Sequence, residues 1–562
     1  MLSKGNRREW LTMVRVRSIK RGVVCNRPHS DKDGGRGVVW GHTFGLCGLL
    51  VVLYAAGLTQ DLTRPWTGFH DWLGAFHSQF ARNLLRYPLD VHHGMPVMAM
   101  GEAIPPPEER SIYATHPPGL TWLIALSFWV LGEAEWAARL VPIVCSLGTL
   151  PLFVCLVARK WGRETGGLAG LVYAVLPMAV YFGRLVDHEA VCLFGMFVVL
   201  NSWQVVVDRV SSARARRWAF AGTVVALVGI SWVDWAGVLF AGLFCVHVGW
   251  QRRCGLLSNR AVVVVWLSTF LACASMLIFL VYFGLGGQWG DLLEIFRGRS
   301  GSLEYGQLRN MAWDHTIRGF TWPVLVLVTI GACVAIRQWR QQYIASRKVQ
   351  AESGLQEQNS SLWVLASTGV LWVAVFWRQY EIHNYWVFYL TPMMALSSAM
   401  ALVWIRNRLQ SVGGQFAGGC LFLAIGVVVG FCLRNTNNYF TWSWGDASIR
   451  AWQEVHRRTQ PGDRVLLTRD PRDVNRHGSY VFRNIIPPTK AYYMDRAWGI
   501  EDTVDGVFRR ASDYSMFIMT IEEAEAAPKA VEALSERFPM NWVETRVLFD
   551  LREDKAVVSE SG

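Results

Sequence analysis

The chain predicts an all-α bundle that crosses a membrane many times, followed by a small soluble α/β domain. Three observations lead there. Of 562 residues, 52% are hydrophobic and 17% charged, with 28 Trp, 28 Phe and a positive mean hydropathy. Apolar runs recur along the first three quarters of the chain, and Lys and Arg collect in every second gap between them. After residue 434 the composition becomes that of a soluble protein.

A helix rising 1.5 Å per residue needs roughly 17–25 apolar residues to cross a hydrocarbon core of about 30 Å. Runs that approach or reach this length lie near 39–58, 137–158, 165–183, 190–207, 217–233, 235–250, 262–284, 322–338, 361–377, 385–405 and 415–433. Basic residues close to a span resist translocation, so their gaps mark the cytoplasmic side. The first 38 residues hold ten Lys or Arg against three acids, which puts the N-terminus inside. Arg159-Lys160, Arg214 to Arg217, Arg252-Arg253, Arg337 to Lys348 and Arg406 to Arg408 then all fall on that same side. The register closes only if 119–131 is not a crossing, and thirteen apolar residues suit an interfacial or re-entrant helix. Eleven crossings result, with the C-terminus outside.

Four regions follow: a basic cytoplasmic tail over 1–37, a membrane core over 38–434, two outer segments within that core at 59–118 and 285–321, and an outer domain over 435–562. In the last, Asp463–Thr468, Tyr514–Thr520 and Arg546–Asp550 read as strands, and 446–459 and 521–537 as helices. The net charge of +12 is explained by topology and contact with anionic lipid, so nucleic acid is not an expected partner. The eleven cysteines avoid the large outer loop and the region after residue 432. Most sit singly in apolar runs, so neither a disulfide framework nor a Cys-ligated metal is indicated. The first apolar run is long and starts near residue 38, so it reads as an anchor, not a cleaved signal.

Chemistry is expected on the outer side. The loop 59–118 contains Phe69-His70-Asp71-Trp72 and Tyr113-Ala-Thr-His116-Pro117-Pro118-Gly119, a carboxylate and an imidazole among aromatics at the membrane surface. The stretch Asp71 to Leu85, then His116-Pro117-Pro118-Gly119, then Trp136-Ala-Ala-Arg139-Leu140 resembles the opening of the membrane glycosyltransferases related to protein mannosyltransferases and the lipid A aminoarabinose transferase. Gly183-Arg184-Leu185-Val-Asp187-His188-Glu189-Ala190 and His383-Asn384-Tyr385-Trp386 with Pro392 extend that resemblance over roughly residues 40–400.

The resemblance implies a C-type glycosyltransferase (GT-C) fold in a bacterial inner membrane. Its donor is a sugar on polyprenyl phosphate, its acceptor a glycan, lipid or protein hydroxyl, and its site carries a catalytic acid in the first outer loop. Asp71 matches that acid and takes the role of general base in an inverting transfer; the plainer reading is a carboxylate capping the helix that follows. Glu189 or Asp187 supplies the second acid; otherwise the pair belongs to a charged turn satisfied by Arg184. His116 stands where the aminoarabinose transferase has a phosphate-contacting Lys, or simply opens a helix. Arg184, Arg297, Arg299, Arg378, His383 and Tyr385 complete the phosphate-binding candidates, against solvated arginines and an aromatic belt as the alternative. Metal use stays open, with a divalent ion allowed but not required. A transporter or lipid flippase is the competing class, but no repeat is evident and the polar candidates gather on one face. A polysaccharide polymerase or ligase shares the lipid donor but relies on outer-loop arginines.

Overall fold

The computed structural model describes residues 36–104, 106, 111–208, 210–255, 257–287, 289–300, 305–353, 361–377, 380, 383–443, 445, 447–468 and 488–553. Each expected apolar run falls on a helix. Six are long and apolar enough to cross a membrane: Glu135–Trp161, His188–Val207, Asn259–Gly284, Trp322–Gln341, Asn384–Leu409 and Gly414–Thr441. Cys47–Leu58, Gly119–Leu131 and Ser361–Val375 are shorter apolar helices. The chain is an integral membrane protein.

Proline and glycine account for the breaks. The run 165–183 is two helices, Arg163–Val175 and Pro177–Phe182, because Pro177 has no N–H to continue the first and starts the second at its N1 position. Gly132, at φ +84, ends the Gly119–Leu131 helix, and the chain turns into Glu135–Trp161. Gly119–Leu131 has the thirteen-residue length expected of an interfacial helix. It buries Leu120, Ile124 and Phe128 and exposes Trp122, Leu126, Trp129 and Val130, so its outer face is apolar.

Between the first helix, Arg36–Leu58, and Glu135–Trp161 lies the loop that the sequence assigns to the outer side. It contains the juxtamembrane helix Trp72–Arg86 and a two-stranded ribbon of β1, Val97–Met98, and β2, Ser111–Ile112. In the Trp72–Arg86 helix even polar residues are buried: Gln79 and Asn83 both donate to the Ala99 carbonyl, which fixes the ribbon against the helix.

The C-terminal region holds a five-stranded sheet of β3 (Arg464–Leu467), β4 (Ala497–Ile500), β5 (Met516–Thr520), β6 (Met540–Val543) and β7 (Arg546–Asp550), in the order β4-β3-β5-β7-β6. β3 pairs in parallel with β4 and β5; β5 with β7 and β6 with β7 are antiparallel. One face of the sheet has its own core of Val507, Phe517, Leu534 and Phe549. On the other, Val465, Met516 and Ile518 join the same continuous apolar cluster as the helical bundle. Ion pairs continue that attachment: Arg86 donates two bonds to Asp495 (2.6 and 3.0 Å), and Arg82 lies over the Tyr492 ring while donating to its carbonyl.

Candidate active site

Two polar centres meet at the turn Gly183–Glu189. The first is a cleft lined by Asp61, Arg64, Gly68, Asp71, Tyr181, Arg184, Leu185 and Phe440. Asp71 stands at the N-cap position of the Trp72–Arg86 helix but makes no capping bond, so its carboxylate has another use. Its Oδ2 accepts from the Gly68 N–H (2.8 Å) and from Arg139 (3.1 Å). Arg139, on the Glu135–Trp161 helix, is buried, stacks over Trp66, and also donates to the Leu62 and Arg64 carbonyls. Arg184 donates to the Gln60 and Asp61 carbonyls, and Arg64 to those of Phe440 and Trp442. Carbonyls hold a guanidinium in place without cancelling its charge, so Arg64 and Arg184 bring two fixed cations to a cleft that also holds the Asp61 and Asp71 carboxylates. Burial, then the neighbouring Arg139, lowers the Arg184 pKa to about 10, which leaves it cationic at neutral pH.

The second centre lies behind the first and is buried. Asp187 caps the His188–Val207 helix through the His188 N–H and bonds the His188 Nδ1 at 2.7 Å. His188 stacks on His116 with ring centres 4.6 Å apart, and His116 Nδ1 bonds Asp234 at 3.0 Å. Asp234 also accepts from the Tyr389 hydroxyl (2.9 Å) and from the Trp235 N–H. Glu189, in the first turn of its helix, is 5% exposed and has Asp187 and Asp234 as its main charged neighbours. His70 links the centres: it adjoins Asp71, bonds Asn384 at 3.0 Å, and sits 5.3 Å from the Tyr385 ring. Its φ of +60 is the kind of local strain that gathers at functional sites. Burial lowers the His70 pKa to about 4 and the His77 pKa to about 3, so both are neutral at pH 7.

His77, Asp187 and His188 offer ligand atoms that all lie within 4.8 Å of one another, and His77 Nδ1 is buried without a hydrogen-bond partner. Two imidazoles and a carboxylate form a donor set that a zinc-like divalent ion accepts, so these are the residues that could hold a metal.

Of the residues the sequence singles out, Asp71 and Arg184 line the cleft, while Asp187, Glu189, His116 and Tyr385 gather in or beside the buried centre. His383 stacks on Trp386 and its Nδ1 meets the Tyr385 hydroxyl. Arg297 is exposed on the Trp289–Ser300 helix and does not line the cleft. Arg378 and the Arg299 side chain lie outside the described residues. Sequence reasoning passed over Arg64, His77, Tyr181, Asp234 and Tyr389, and quoted Arg139 without giving it a role. A signal existed for two of them: Arg139 and Asp234 are isolated charges inside apolar stretches, and such residues are usually functional. Asp234 fills the one-residue gap between the apolar runs 217–233 and 235–250.

Residues 115–279 match the profile of the family described as dolichyl-phosphate-mannose-protein mannosyltransferase. The chain is similar in structure to ArnT from Cupriavidus metallidurans bound to undecaprenyl phosphate, with TM-score 0.56 and 12% identity over 91% of this chain and 98% of that one. It is similar also to the archaeal oligosaccharyltransferase AglB from Archaeoglobus fulgidus, solved with an inhibitory peptide and a dolichol-phosphate, with TM-score 0.55 and 10% identity over 89% of this chain and 72% of that one. No curated protein matches by sequence. The chain thus shares the C-type glycosyltransferase fold of these structures, and its residues 115–279 are similar to the mannosyltransferase family.

Proposed function

We propose that this protein is a membrane glycosyltransferase that moves a sugar from a polyprenyl-phosphate donor to an acceptor hydroxyl on the extracytoplasmic face, with inversion. The observation that carries the proposal is the Asp71 carboxylate in a cleft that it shares with Asp61 and with Arg64 and Arg184, two guanidinium groups fixed by backbone carbonyls. Nucleotide sugars are not expected outside the cytoplasm, so a donor used there has to arrive as a lipid.

The chemistry needs a base for the acceptor and cations for the leaving phosphate. Both protein bonds to Asp71 fall on Oδ2, which leaves Oδ1 to take the proton as the hydroxyl oxygen attacks the anomeric carbon. The bond from that carbon to the phosphate oxygen breaks on the opposite side, and the phosphate leaves as an anion without needing an acid. Arg184, within the Gly183–Glu189 turn, and His116, stacked on His188 of the same turn, stabilise that charge. His116 also sits just before the N-terminus of the Gly119–Leu131 helix, whose apolar outer face suits a polyprenyl chain and whose dipole favours an anion at that end. Asp187 orients His188 through its Nδ1, and Glu189 or Asp187 supplies the second acid. A divalent ion at His77, Asp187 and His188 would add charge stabilisation beside the phosphate.

Asp71→Asn tests the reading. Transfer should fall about 10²–10⁴-fold, the usual worth of a general base, while undecaprenyl phosphate still binds. The assay compares lipid-linked products, by mass, from cells with wild-type protein, the variant or neither. A folded variant that transfers at near the wild-type rate overturns the assignment.

A further inference from the structure

We infer that Asp234 is a positioning residue for the donor phosphate: it holds His116 by its Nδ1 so that the imidazole is fixed in one orientation towards the lipid phosphate. The inference deepens the proposed function and rests on its assignment of His116.

Three observations carry it. First, the Asp234 carboxylate is 1% exposed and uses both oxygens: Oδ1 on His116 at 3.0 Å, Oδ2 on the Tyr389 hydroxyl at 2.9 Å. An aspartate that served only as a helix cap would need Oδ1 on the Trp235 N–H and nothing more. Second, the loop carrying His116 is pinned to the turn carrying Asp234 by two bonds independent of either side chain. Gly119 N–H donates to the Trp232 carbonyl (2.9 Å), and the Trp235 indole donates to the Thr115 carbonyl (2.7 Å). The distance between carboxylate and imidazole is therefore set by backbone, as positioning demands. Third, the ring has little freedom, stacked on His188 on one side and 6.0 Å from the Tyr113 ring on the other. The Asp234 bond decides which nitrogen faces away from the turn.

The test uses the purified full chain in detergent with two probes, undecaprenyl phosphate and undecaprenol, which share the chain and differ in charge. Asp234→Asn keeps a capping residue and the shape, but its single acceptor oxygen cannot serve His116 and Tyr389 together. It should weaken undecaprenyl phosphate binding about tenfold and leave undecaprenol unchanged, with partial recovery in Asp234→Glu. His116→Gln should do the same, and the double variant should be no weaker than His116→Gln alone, because the two act as one unit. Equal loss for both lipids, or additive losses in the double variant, overturns the inference. An effect in His116→Gln with none in Asp234→Asn also overturns it but spares the proposed function. No effect in His116→Gln removes the phosphate role of His116 itself.

Discussion

Arg139 shows how one residue joins structure to chemistry. It is a cation 1% exposed, on a helix apolar enough to span a membrane, and such a charge persists only when its donors are satisfied. Two of its bonds go to loop carbonyls and one to Asp71, so it ties the first outer loop to the bundle and aims the proposed base at once. Arg139→Ala leaves the half-shielded Asp71 carboxylate without its ion pair and should cost about 3 kcal/mol of stability. Arg139→Lys keeps the charge but loses the planar fork that reaches carbonyls and carboxylate together. Its thermal midpoint should stay near that of the wild type while transfer falls at least tenfold. Thermal unfolding in detergent and initial transfer rates measure the two. Asp71 drew attention in the sequence because the residues around it match, in order, the opening of a known family. Arg139 was not given a role because its partner is 68 positions away, a distance that no local pattern encodes.

At the scale of elements, close approach matters more than propensity. Gly119 opens the interfacial helix, and a Cβ there would come within 2.4 Å of the Trp232 carbonyl oxygen. That oxygen is backbone and cannot rotate away, so Gly119→Ala must separate the His116 loop from the Asp234 turn. The expected cost is about 1–3 kcal/mol, seen as a lower unfolding midpoint, with weaker undecaprenyl phosphate binding alongside it. The helices themselves were readable from hydropathy. Pro177 and Pro528 broke two of them where the ring removes an N–H, turning the expected helix 521–537 into Ile521–Ala526 and Pro528–Arg537. Strands β3, β5 and β7 were anticipated and β4 and β6 were not. Both of the latter are edges of the sheet, and the half-exposed residues of an edge strand dilute the apolar signal that reveals a central one.

For the whole molecule, the attachment of the sheet to the outer loop is an electrostatic question. Burial alone would raise the Asp495 carboxyl. The Arg86 hydrogen bond, the charges of Arg82 and Arg86 and the Gly101 N–H reverse this and hold it at about 2. A carboxylate with a depressed folded pKa contributes stability that is complete above its unfolded value near 4 and lost as pH falls towards 2. Docking of the C-terminal region should therefore weaken between about pH 4 and pH 2, and Asp495→Asn should dock poorly at every pH and lose that dependence. Limited proteolysis with an acid-active protease measures both. Composition and apolar run length by themselves determined that this chain lives in a membrane and where its helices lie, because those properties are written over contiguous residues. Only the tertiary structure decided that His70, His116, His188 and Asp234 belong to one buried network beside an arginine cleft. Hydrogen bonds act over about 3 Å of space between residues more than a hundred positions apart, and a linear pattern holds no record of that distance.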